Sequence, residues 1–75
     1  MARTANTGAG KVFKKIELVG ISPASFEDAI KNAVAKASES LHGLCWFEVT
    51  EQHGKIVDGK VAEFQAIVKV AFKID

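Results

Sequence analysis

Residues 64 to 72 read FQAIVKVAF, and every second position is apolar. A strand sends successive side chains to opposite faces. Phe64, Ala66, Val68, Val70 and Phe72 therefore make one apolar face, and Glu63, Gln65, Ile67 and Lys69 share the other. Asp58-Gly59 lies just upstream, a strong signal for a two-residue hairpin loop. Two antiparallel strands are predicted, at about 44–57 and 60–73. Gly54 interrupts the first of them, so a bulge or bend is expected there.

A strand pair with one apolar face needs a cover, and the residues before it supply one. Phe26, Ile30, Val34, Ala37 and Leu41 recur at three- or four-residue steps, with Ala29 and Ala33 beside them. That spacing is an amphipathic helix. Ser22-Pro23 is read as its start, because serine caps and proline suits the first helical position. Ser25 followed by Asp28 offers a second cap one turn later. Gly43, just past His42, is read as the stop. Upstream, residues 11 to 19 (KVFKKIELV) form a first strand that Gly20 is expected to end. Its core face carries Val12, Ile16 and Leu18, and its other face Phe13, Lys15, Glu17 and Val19.

The order is β-α-β-β. The helix crossover makes the first two strands parallel to each other. The third strand then fits between them, with every neighbouring pair antiparallel. The expected fold is α+β: a three-stranded antiparallel sheet packed on one helix.

At 75 residues the chain is one domain, and such a core roughly breaks even alone. Small domains gain stability from disulfides, metals or oligomerisation. One Cys excludes an internal disulfide framework, and one Cys with two His is too few for a structural zinc site. Assembly into a homo-oligomer remains. Ten basic and nine acidic residues leave a net charge of +1, which argues against nucleic acid as partner. No stretch has the ~18 apolar residues of a membrane span. Residues 1 to 10, MARTANTGAG, lack the apolar segment of a signal peptide and are read as a disordered tail. The domain is then 11–75, and with a free thiol and no export signal the cytoplasm is expected.

The only tryptophan falls in LCWFEV, residues 44 to 49. Cys45, Phe47 and Val49 take the core-facing parity, while Trp46, Glu48 and Thr50 take the other. Trp46 thus stands with Gln65, Ile67 and Lys69 on a mixed face. Such a face suits a subunit interface or a flat ligand. Gln65 carries donors and an acceptor on one amide, which can match the edge of a heterocycle. Cys45, His42 and His53 do not form a nucleophilic unit, since no acid is placed to orient either histidine. Cys45 is read instead as a small buried hydrophobe. Gly8-Ala9-Gly10-Lys11 precedes the first strand and lacks the glycine spacing of a phosphate loop. Lys11, Lys14 and Lys15 are read as a solvated sheet edge.

Together, VFKKIELVG (12 to 20), SPASFEDAI (22 to 30), WFEV (46 to 49) and FQAIVKVAF (64 to 72) resemble the dodecins. These are small flavin-binding proteins that assemble as hollow dodecamers. The resemblance implies a non-enzymatic role: storage of flavin and quenching of its excited state. It implies that Trp46 stacks on the flavin ring, that Gln65 hydrogen-bonds it and that Cys45 contributes backbone contacts. Flavins would lie in pairs near two-fold axes. FMN is the expected cofactor, with riboflavin or FAD as alternatives. The family often has an acidic residue where Cys45 stands, and an apolar residue and an arginine where Gln52 and His53 stand. His53 and Lys73 are the expected phosphate partners, and a neutral histidine is weaker in that role than arginine. Coenzyme A binding through Lys11, Lys36 and Lys73 is a further possibility by resemblance. The other alternative is a structural cage in which Trp46 only seals subunits.

Hairpin arithmetic adds one expectation. If Val57 pairs with Lys60, Gln65 faces Gln52 and not Trp46. Gln52 lies six residues from Trp46, about 20 Å along a strand. Trp46 and Gln65 of one chain are therefore expected to grip different flavin rings.

Overall fold

The computed structural model describes residues 10–74. The expectation of a disordered tail falls, for residues 1–9, outside the described residues. Four elements follow in order: β1 (Val12–Ser22), α1 (Phe26–Ser40), β2 (Leu44–Val57) and β3 (Lys60–Ile74). The sheet order is β1-β3-β2, and both neighbouring pairs are antiparallel. The fold is the α+β arrangement expected from the sequence. Asp58 (φ 52°) and Gly59 (φ 77°) both take the left-handed conformation, as a tight hairpin of this twist requires. The hairpin is long, and the molecule spans 60 × 21 × 13 Å.

The core is built from small residues. Ala29, Ala33 and Ala37 of α1 lie on Ala66, Val68 and Val70 of β3, and all six are buried. Alanine at every fourth position lets the helix backbone settle close to the sheet. The approach is closest at Gly20. A Cβ there would sit inside the van der Waals shell of the Ala29 carbonyl oxygen, 2.9 Å from its carbon and 3.0 Å from the Ala33 Cβ. Gly20 therefore does not end the first strand, as the sequence suggested. It pairs with Ala66, and β1 continues to Ser22.

This extension also moves the helix start. Ser22 is not the cap: it pairs with Phe64 and is fully buried at the end of β1. Its Oγ donates to Asp28 Oδ2 (2.7 Å) and accepts from the Ala24 amide (2.9 Å). Pro23 lies in the connection. Ser25 is the N-cap, and its hydroxyl accepts from the Asp28 amide at 3.0 Å. Asp28 thus links the strand end to the helix start. The helix ends at Ser40, earlier than its apolar stripe. Leu41 is already extended, and its N–H donates to Ala37 O at 3.0 Å. Gly43, with φ +74°, turns the chain into β2.

The helix covers β1 and β3 and barely reaches β2. Phe47 has the core-facing register, opposite Val70, yet stays half exposed. Ile30 and Val34 on the helix flank complete an open groove of about 620 Å³ with Phe26, Phe47 and Gln52.

Three bulges break the hairpin register, at Cys45, at Thr50 and at Ala62. None is at Gly54, where one was expected. Gly54 pairs regularly with Phe64, and a Cβ there would lie 2.6 Å from the Glu63 carbonyl oxygen. The glycine serves close strand approach rather than a bend. Cys45 is not the small buried hydrophobe expected: it is the extra residue of its bulge and is exposed. Its thiol donates to the Gly43 carbonyl at 3.2 Å. The register otherwise places Leu44, Phe47 and Val49 toward the helix, and Trp46 and Glu48 away from it.

Candidate functional site: the outer sheet face

The face turned from the helix is a three-column lattice, read across β1, β3 and β2. One row is Lys15–Ala71–Trp46. The next are Glu17–Lys69–Glu48, Val19–Ile67–Glu51 and Ile21–Gln65–His53. Phe13 and Lys73 pair beyond the first row. The expected face for Trp46, Gln65, Ile67 and Lys69 is therefore the one they occupy. Thr50 is set apart as the extra residue of a bulge, with its Oγ1 donating to Ile67 O at 3.3 Å.

The candidate residues gather in two clusters. At one end, Trp46 stands beside Cys45, with Lys73 on the adjacent strand. Trp46 is 46% exposed, and its ring meets that of Phe13 at 4.9 Å between centroids, tilted by 57°. Nothing in the sequence gives Phe13 a site role. Its parity is the available signal, since it puts Phe13 on the same face as Trp46. At the other end, Gln65 faces His53. The expected partner, Gln52, is displaced by one position because Ala62 bulges out between the turn and Glu63. Gln52 turns toward the helix side and lines the groove there. Gln65 is half-buried, and its Nε2 donates to Glu63 Oε1 at 3.1 Å. The His53 ring lies 3.9 Å from the Glu51 carboxylate.

Six residues of β3 separate Ala71, opposite Trp46, from Gln65, or about 20 Å of strand. The corrected register leaves the separation expected from the hairpin arithmetic unchanged. Within one chain, the indole and the amide do not converge.

Charge fills the space between the clusters. Lys15 reaches across β3 to pair with Glu48, so it is not merely part of a solvated edge. The Lys15 ammonium, by hydrogen bond and charge, lowers the Glu48 pKa, and Lys69 adds to the effect. A lowered carboxylate pKa stabilises the fold in full above the ordinary value, and the contribution disappears as pH falls through the lowered one. The Tm difference between wild type and Lys15→Met is thus expected to hold from neutral pH to about the ordinary 4.5, then shrink below it. A difference that stays constant down to strong acid would break the assignment.

With this geometry in place, comparison with known proteins is decisive. The family model for dodecin matches residues 12–75. The chain belongs to the dodecin family. It is 46% identical over 66 residues to the curated dodecin of Thermus thermophilus, covering 88% of this chain and 96% of that one. A crystal structure of a Thermus thermophilus protein superposes with a TM-score of 0.84 at 45% identity, covering 88% and 97% of the two chains. The dodecin of Streptomyces coelicolor reaches 0.85 at 40% identity, covering 89% and 96%. The helix-covered antiparallel sheet is thus the dodecin fold. No helix among the described residues is long and apolar enough to cross a membrane.

Proposed function

We propose that this protein binds flavin without acting on it, as a store that also quenches the excited state. One observation carries the reading. A dodecin-family chain holds its only tryptophan on the outer sheet face, nearly half exposed, with its ring against Phe13. An indole face suits a flat aromatic ring. Electron transfer from a stacked indole quenches an excited flavin. Gln65 supplies donors and an acceptor for the polar edge of such a ring. It stands about 20 Å from Trp46, so each flavin is held by residues of different chains. The binding site is then complete only in the homo-oligomer, a dodecamer with flavin pairs at its two-fold axes. Exposed Val19, Ile21, Phe47, Ile56 and Val61 give the chain apolar surface for such contacts. Cys45 offers backbone groups beside the indole, while His53 and Lys73 are the candidates for the phosphate of FMN.

The test is a titration of FMN and of riboflavin with the purified protein, read by flavin fluorescence. Quenching that saturates near one flavin per chain is expected. The two affinities are expected to lie close together, because His53 lacks the donor fork of arginine. An assembled particle that leaves flavin fluorescence unchanged would overturn the reading in favour of a structural cage.

A further inference from the structure

Trp46 and Phe13 belong to the two edge strands, with β3 between them. Strands are about 4.8 Å apart, so the two backbones are separated by roughly 9.6 Å. The ring centroids are nevertheless only 4.9 Å apart. Both side chains lean over the central strand and meet on a diagonal, since Phe13 pairs with Lys73 and Trp46 with Ala71 one row away. Ala71 pairs directly with Trp46 and is fully buried, with only a methyl group to fill the space. A larger side chain at 71 would stand between the rings.

We infer that Phe13, meeting the indole over Ala71, is a positioning residue that fixes the orientation of Trp46 for ring stacking. An indole on a wet strand is free to change rotamer, and a ligand that stacks on it must first order it. The tilted contact with Phe13 removes much of that freedom in the flavin-free protein. It also blocks one flank, so an incoming ring has a single side to approach. This inference rests on the proposed flavin site and adds to it a determinant outside the ligand contacts.

Phe13→Leu keeps an apolar side chain over Ala71 but removes the aromatic partner. Phe13→Tyr keeps the ring. The Leu variant is expected to bind FMN about two- to tenfold more weakly, the size of an aromatic pair's contribution. The Tyr variant is expected to bind as wild type does. Near-UV circular dichroism of the flavin-free protein is expected to lose the Trp46 signal in the Leu variant only, while far-UV spectra stay unchanged. Phe13→Met serves the same purpose if the Leu variant does not fold. A folded Leu or Met variant with wild-type affinity overturns the inference and leaves the flavin site standing. Equal weakening in the Tyr and Leu variants also overturns it. A wild-type protein that binds no flavin overturns both.

Discussion

Trp46→Ala is expected to lose flavin quenching and to bind FMN about 10- to 100-fold more weakly, the scale of an aromatic–ring stack removed. The fold is expected to survive. Trp46 lies on the face away from α1 and outside the alanine–valine core. Its loss uncovers Ala71 and releases Phe13, a local change at one end of the sheet. Two measurements on one sample separate the possibilities: flavin fluorescence and particle size. An assembled variant that no longer quenches supports stacking. A variant that still quenches fully would remove Trp46 from the site. A variant that falls apart into subunits would make the tryptophan an interface residue first.

Gly20→Ala is expected to be the most damaging single-methyl change in the described chain. The added Cβ meets backbone, not a side chain that could swing aside. Either α1 lifts from β1 or the strand bends away from it. Lifting the helix opens the contacts of Ala29 and Ala33 with the sheet, which are most of its buried face. Overpacking of a core costs about 1–3 kcal/mol when side chains can adjust, and here the rigid partner puts the loss at about 3 kcal/mol or more. For a domain of this size that is a fall in Tm of about 12–24 °C. Thermal unfolding followed by circular dichroism reads it directly. A Tm within a few degrees of wild type would mean that the helix has slack at this point. Gly43→Ala is the natural comparison, since a Cβ there meets nothing within 4 Å and only the left-handed φ resists it.

Most of the fold is legible in the sequence because two periods announce it. FQAIVKVAF is apolar at every second position, the alanine-rich stretch repeats at helical spacing, and Asp58-Gly59 sets the turn. The misreadings cluster where glycine or serine has more than one use. Gly20 looks like a strand end, yet its missing side chain is the helix's seat. Ser22-Pro23 has the composition of a helix start, but tertiary pairing with Phe64 keeps Ser22 in the sheet. The three bulges follow no residue type that marks them, so the partner of Gln65 comes out one position off. In the candidate site, the sequence places Trp46 and Gln65 on one face and keeps them apart. It does not reveal Phe13 as the neighbour of Trp46, because that contact crosses the central strand on a diagonal.

The bulge at Cys45 has a consequence for how this chain can vary. Leu44 and Trp46 have the same parity, and only the extra residue between them sends one inward and the other outward. What matters at position 45 is that a residue is there, not which one: the side chain is exposed and its one bond is to a neighbouring carbonyl. Substitutions at this position are therefore cheap, whereas deleting it would carry Leu44 off the helix side while the hairpin holds Trp46 in place. Position 45 is thus tolerant in spelling, while the length of the segment that holds it is strict.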